Sequence, residues 1–436
     1  MGILVDGQWR DEDLPAETGK AGNFQRVDSV FRDRITADGS SGFKAEAGRY
    51  HLYVAYTCPW AHRTQIYLAL KKLTAAISVS IAVPGLRTQG WTFEDNAAFP
   101  DCTPDRVNGF HYLHQTYAAS DPHYTGKVTV PTLWDKKTKR IVNNESSEII
   151  RMLNAEFGGI GADPTDYYPK PLREEIDRIN TQVYATVNNG VYRCGFAKSQ
   201  AAYEEAYDAL FATLDELEAR LGRQRYLVGN RITEADWRLF PTLVRFDVAY
   251  FSLFKCNRNR IADFPNLLNY MRELYAMPGI AETVKPRYYV IGYYSIARVN
   301  PTGTSPRARR SITGNRTTAR GLRPDETLVA ARWGVGAFRL LNDLIGAARV
   351  LDHLESRLRG HSERPGITAA APSVGHWAKV NGPAVIRLLT QRDLRRRLQI
   401  DRSDGPAEKP RDDDRPPIRY RVFGICPHFR VNEKPA

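Results

Sequence analysis

His51-Leu-Tyr-Val-Ala-Tyr-Thr-Cys58-Pro-Trp-Ala-His-Arg63-Thr-Gln-Ile-Tyr-Leu-Ala-Leu-Lys-Lys-Leu73 is the stretch that decides the fold. His51–Tyr56 is apolar enough for a buried strand. Cys58 follows at once. From Pro59 the apolar positions Ile66, Leu68, Ala69 and Leu70, with lysines at the end, describe a helix. Proline in its first turn and cations in its last suit the helix ends. Ile77–Val83 then alternates in the manner of a second strand. A strand–helix–strand unit is thus complete by residue 83, which calls for a parallel pair with a right-handed crossover.

On its C-terminal side, residues 84–126 are aromatic, contain Gly and Asn, and read as loops with short helices. Val128–Trp134 is a strand containing Pro131, and Lys139–Val142 pairs with it after the turn at Asp135–Thr138. Glu145-Ser-Ser-Glu148 opens a helix running through Ile149, Ile150, Met152 and Leu153. This order of elements is the thioredoxin fold. Beyond Pro164 the pattern is helical, over 171–190, 200–221, 233–251 and 264–276. Thr233-Glu-Ala-Asp236 resembles a capping box at the start of the third. A small α/β domain followed by an all-helical domain is the architecture of soluble glutathione transferases. The expected division is an extended arm over 1–45, a thioredoxin-like domain over 46–160, an all-helical domain over 165–306 and an extension over 307–436.

Charge supports that last boundary. The 436 residues carry a net +13, but residues 307–436 hold 23 Arg and 3 Lys against 14 Asp and Glu, a net +12. The first 306 residues are nearly neutral at +1, so a nucleic-acid-binding core is not indicated. Arg-heavy, Lys-poor sequence is what out-of-frame reading of GC-rich DNA gives. A frameshifted or disordered extension is the expectation for 307–436, with helical periodicity over Leu340–Leu358 leaving an appended domain open. No function is assigned to it. No apolar run of about 18 residues occurs, which excludes a membrane-spanning helix. Five scattered cysteines without a CxxC pair argue against a disulfide scaffold and fit a reducing cytoplasm.

Cys58 carries the chemistry. A strand end that is also a helix start places free N–H groups and the helix dipole beside the sulfur, an arrangement that lowers thiol pKa values. The third residue after it is Ala61, so no second cysteine is there to resolve a mixed disulfide. An abundant small thiol is the simplest substitute, which points to glutathione as co-substrate. Pro131 inside a strand implies an edge, a bulge or a cis turn, and a cis turn exposes the backbone of Val130 to a peptide thiol. Glu145 and Ser146 at a helix start suit an α-carboxylate and an ammonium. Trp91 and Lys127 are candidates for closing the pocket. The nine histidines show no metal-ligand spacing, no metal is expected, and His62 reads as structural.

Several segments resemble the glutathionyl-hydroquinone reductases, the Xi-class glutathione transferases. They are Phe24-Gln-Arg-Val-Asp-Ser-Val-Phe-Arg32, Cys58-Pro-Trp-Ala-His-Arg63, Gly90-Trp-Thr-Phe93, Val128-Thr-Val-Pro-Thr-Leu-Trp-Asp135, Asn144-Glu-Ser-Ser-Glu-Ile-Ile-Arg-Met152, Asn188-Asn-Gly-Val-Tyr192, Glu234-Ala-Asp-Trp-Arg-Leu-Phe240 and Asn300-Pro-Thr-Gly303. The resemblance implies that Cys58 is the catalytic thiol and that Trp91, Val130, Glu145 and Ser146 hold glutathione, with Pro131 beside Val130 a further candidate from its place in the strand. Lys127 falls where the family usually has Arg, whose planar fork Lys lacks. Tyr192 and Tyr293 fall on the tyrosines of the hydroquinone pocket, though Tyr288, Tyr289 and Tyr294 compete with Tyr293. The resemblance further implies a cytoplasmic homodimer that reduces glutathionyl-hydroquinones, with quinone-type substrates and no membrane partner. Two other readings stand beside it: an Omega-like thioltransferase or dehydroascorbate reductase, and a non-catalytic module of the same fold with a nucleic-acid-binding tail.

Overall fold

The computed structural model describes residues 2–12, 17–85 and 88–306. The expected arm carries a short hairpin, β1 (Ile3–Val5) with β2 (Gln8–Arg10), and a small parallel pair, β3 (Ile35–Thr36) with β4 (Phe43–Lys44). Next come β5 (Tyr50–Val54), α1 (Pro59–Leu70) and β6 (Ser78–Ile81). After them lie α2 (Leu113–Ser120), β7 (Gly126–Lys127), β8 (Thr132–Asp135), β9 (Arg140–Asn143) and α3 (Ser146–Ala155). The central sheet has the order β6-β5-β8-β9. β5 and β6 are parallel, with His51 opposite Ser78, and β8 is antiparallel to both β5 and β9. β7 leaves this sheet to pair with β1, so the arm is stitched to the domain it precedes.

Every residue of β5 and β8 is buried, as expected of inner strands covered on both faces. The ends of these strands are clamped by a buried bidentate pair, Arg49 Nε to Asp135 Oδ1 at 2.9 Å and Nη2 to Oδ2 at 2.7 Å. The strand expected over Val128–Trp134 begins only at Thr132, because Pro131 has no N–H for the ladder and follows a cis peptide bond.

The second half is helical: α4 (Arg173–Val183), α5 (Gly190–Phe196), α6 (Gln200–Leu221), α7 (Glu234–Arg245), α8 (Phe251–Leu253), α9 (Pro265–Tyr275) and α10 (Pro286–Tyr294). Two of the expected helices are interrupted. One π turn, Tyr184–Asn188, separates α4 from α5, and another, Phe246–Tyr250, separates α7 from α8. Such turns insert an extra residue and re-aim side chains, often at functional sites. The expected capping box is present: the Thr233 N–H and hydroxyl both reach Asp236 Oδ2, at 2.7 and 3.0 Å. α10 escaped the sequence reading because its four tyrosines and a glycine follow Pro286 with weak helical signal.

Gly292 explains how α10 reaches the α/β domain. A Cβ there would lie 2.2 Å from Thr57 Oγ1, so only glycine lets the helix press against the loop before Cys58. Buried residues of both halves form one continuous core, with α1 covered on nearly every side.

Candidate active site

Cys58 is the N-cap of α1, with an extended backbone (φ −79°, ψ 122°) and Pro59 in the first turn. Its side chain is half-buried, and its thiol donates to the Val130 carbonyl at 3.3 Å. The helix start was expected to depress this thiol's pKa. The structure reverses the direction. Loss of hydration pushes the Cys58 pKa above the ordinary cysteine value, and the N–H groups of Ala61 and Trp60 and the guanidinium groups of Arg245 and Arg26 only partly offset it.

A cleft of about 350 Å³ opens beside it. All nine residues singled out from the sequence line this cleft: Cys58, Trp91, Lys127, Val130, Pro131, Glu145, Ser146, Tyr192 and Tyr293. One wall is polar. Glu145 caps α3, accepting from the Ser147 N–H at 2.9 Å, the Ser147 hydroxyl at 2.8 Å and the Ser29 hydroxyl at 3.2 Å. Its carboxylate is thus partly engaged by its own helix. The Ser146 hydroxyl accepts from Arg63 Nη1 at 3.3 Å. Arg63 is buried, donates also to Asn188 Oδ1 at 2.8 Å and the Arg238 carbonyl at 3.1 Å, and has its guanidinium 4.6 Å from the Trp60 ring. Burial pulls its pKa to about 9, so it remains a cation at neutral pH behind the start of α3.

Lys127 is less available than its position implies. Its ammonium is paired with Glu17 of the arm, and the other Glu17 oxygen lies 3.8 Å from Arg298. Burial lowers the Lys127 pKa while Glu17 raises it.

The opposite wall is aromatic. The Tyr192 and Tyr293 hydroxyls are 2.6 Å apart, and Tyr250 joins Tyr293 at 2.7 Å. These three come from α5, α10 and the π turn at Phe246–Tyr250. Burial raises all three pKa values, so the hydroxyls stay protonated and able to donate at neutral pH. Tyr288 bonds Asp101 at 2.9 Å and Tyr289 lies against Arg245; of Tyr288, Tyr289, Tyr293 and Tyr294, Tyr293 is the one that lines the cleft. Trp60 stacks over Tyr192 at 6.4 Å, and the Arg26 guanidinium sits 4.8 Å from the Tyr192 ring.

Glu17, Arg26 and Tyr250 were not foreseen as site residues. Arg26 lies within the motif Phe24–Arg32, which was a signal; Glu17 and Tyr250 had none, because both reach the site through long-range packing. The Arg-rich extension and Cys426 lie outside the described residues. Among the described residues no cluster of His, Cys, Asp and Glu could hold a metal ion, and no helix is long and apolar enough to cross a membrane.

The profile described as glutathione S-transferase, N-terminal domain, matches residues 57–156, and that of the C-terminal domain matches residues 200–273. The glutathionyl-hydroquinone reductase PcpF of Sphingobium chlorophenolicum is 53% identical over 307 residues, 70% of this chain and 96% of that protein. The chain belongs to the glutathionyl-hydroquinone reductases, the Xi-class glutathione transferases. Their member YqjG of Escherichia coli has a glutathione-bound structure that is 47% identical, with a TM-score of 0.65 over 72% of this chain and 97% of that one. A Xi-class member from Natrialba magadii is 43% identical, with a TM-score of 0.66 over 71% of this chain and 93% of its own. Within this family the cleft of the present chain has two sides, one polar and one aromatic, that meet at Cys58.

Proposed function

We propose that this protein reduces glutathionyl-hydroquinones to hydroquinones, with Cys58 as the nucleophile and glutathione as the second substrate. The observation that carries the reading is a lone thiol, Cys58, set between a helix-start polar wall and three linked tyrosine hydroxyls. The glutathionyl part of the conjugate lies along Trp91, Lys127, Val130, Pro131, Glu145 and Ser146, its α-carboxylate at the start of α3. The ring lies against Tyr192 and Tyr293.

Cys58 ionises and attacks the sulfur of the conjugate. The sulfur–carbon bond breaks, its electron pair stays with the ring carbon, and that carbon takes a proton. The tyrosine chain is placed to deliver that proton or to stabilise the ring oxygen. Cys58 is left joined to glutathione by a disulfide. A second glutathione attacks this bond, releasing oxidised glutathione and restoring the thiol. One conjugate and one glutathione give one hydroquinone and one oxidised glutathione.

The cysteine usage supports a reducing, cytoplasmic setting. The family supports a homodimer, and the division at 45, 160 and 306 is offered as the domain plan. A thioltransferase would share Cys58, but the aromatic wall favours a ring substrate.

The test is turnover of glutathionyl-menadiol with excess glutathione, following hydroquinone and oxidised glutathione together. Wild type yields both in equal amounts. Cys58→Ser yields neither, because an alcohol forms no mixed disulfide. Turnover surviving in that variant would sink the mechanism.

A further inference from the structure

Arg245 is fully buried at the end of α7 and crosses from the helical half to the loop that carries Cys58. Its Nε donates to the Thr57 carbonyl at 3.1 Å. One Nη2 bond reaches the Tyr56 carbonyl at 2.7 Å, and a longer one the Cys58 carbonyl at 3.5 Å. Its Nη1 donates to the Pro241 carbonyl at 2.8 Å and meets His62 Nδ1 at 3.0 Å. A guanidinium has five N–H groups, and here all five have acceptors. None is a carboxylate: among the described residues Arg245 has no ion-pair partner, and the Tyr289 ring lies 3.9 Å from the guanidinium carbon.

The protons in this network can be assigned. Thr283 donates to the Ile280 carbonyl at 2.7 Å, so its oxygen accepts from His62 Nε2 at 2.7 Å. That leaves His62 Nδ1 bare to accept from Arg245. His62 is therefore the neutral Nε2–H tautomer, in keeping with a pKa held well below its ordinary value by burial and by Arg245. The structure thus desolvates a cation against the loop that carries the sulfur and satisfies its hydrogen bonds without neutralising its charge. Burying an unpaired charge is costly, so a use for it is expected.

We propose that Arg245 is the positioning residue for Cys58: it fixes the loop Tyr56–Cys58 through its carbonyls and holds there an unneutralised positive charge that stabilises the ionised sulfur. The other ionisable groups facing Cys58 are Arg26 from the arm and Tyr192 from α5, with Tyr293 and Tyr250 behind Tyr192. Arg26 is half-exposed and the tyrosines are neutral, so of the two guanidinium groups Arg245 does more to favour the ionised sulfur, after the Ala61 N–H. The role rests on Cys58 being the nucleophile but not on the identity of the ring substrate.

The experiment is alkylation of Cys58 by iodoacetamide in the full chain, read by peptide mass from about pH 6 to about pH 11, in wild type, Arg245→Gln and Arg245→Lys. Gln keeps amide donors but removes the charge. It moves the alkylation midpoint upward by about one unit, so reaction at pH 8 slows roughly tenfold while the high-pH limit is unchanged. Lys keeps the charge without the fork. Its midpoint stays near that of wild type, while kcat with the conjugate falls. A wild-type profile in folded Arg245→Gln, or a Lys profile equal to that of Gln, overturns the proposal. Should Arg245→Gln fail to fold, His62→Asn and His62→Leu carry the test. Asn retains an acceptor for Nη1 and Leu does not, so Leu alone slows alkylation at pH 8; equal behaviour of the two overturns it. Normal midpoint shifts with no turnover of any conjugate would refute the hydroquinone reading instead.

Discussion

The polar wall of the cleft is drawn from residues 127–146, within one α/β domain, whereas the aromatic wall joins Tyr192 to Tyr250 and Tyr293 across separations of up to 101 residues. The polar wall works through local backbone geometry: a helix start, a residue before a cis-proline and a short strand. Its groups are in place once β7, β8, β9 and α3 form, with Arg63 of α1 behind Ser146. The aromatic wall exists only when α5, the π turn at Phe246–Tyr250 and α10 are packed together. The two walls therefore differ in what a substitution does: on the polar side it alters binding of one ligand, and on the aromatic side it disturbs a chain of hydroxyls.

Tyr293→Phe should separate the walls most sharply, because it removes the hydroxyl that bonds both Tyr192 and Tyr250. We expect kcat to fall roughly 10²-fold, the low end for loss of a proton-transfer group, with the KM for glutathione unchanged. A raised glutathione KM would mean that the walls are not independent.

Ser146→Ala is the complementary change. It removes a hydroxyl that Arg63 holds at the start of α3. The loss of one hydrogen bond to a charged group corresponds to about 1.5 kcal/mol, or roughly a tenfold rise in the KM for glutathione at constant kcat. A fall in kcat without a change in KM would place the α-carboxylate elsewhere.

A smaller effect is expected at the arm. Glu17→Gln releases the Lys127 ammonium from its carboxylate partner. The KM for glutathione should fall only about two- to threefold, because the freed ammonium is left buried without a partner and that cost offsets most of the gain. An increase would show that Glu17 positions Lys127 rather than competing for it.

The last comparison is of stability. His62 is neutral in the folded protein and titrates near 6.5 when unfolded. Its contribution is complete above about pH 6.5 and is lost as the pH falls below it, by up to about 1.4 kcal/mol per unit. Denaturant midpoints should decline below that pH in wild type and decline less in His62→Asn.

Much of this was legible in the chain itself. The apolar run of His51–Tyr56, the helix from Pro59, the alternating strand over Ile77–Val83 and the capping box at Thr233 are local patterns, and each appears within a few residues of its expected place. The same holds for the positions of Cys58, Pro131, Glu145 and Ser146, each beside an element's end. α10 and the two π turns were not legible, since weak propensity there is overridden by packing on the α/β half. Nor was the direction of the Cys58 pKa. The sequence by itself determined that a single thiol begins a helix in a thioredoxin-like unit, because that depends on neighbours along the chain. Only the tertiary structure decided how far that thiol is dehydrated, which tyrosines reach it, and that Arg245 stands behind it, because burial and charge at a point are set by atoms that lie more than a hundred residues away.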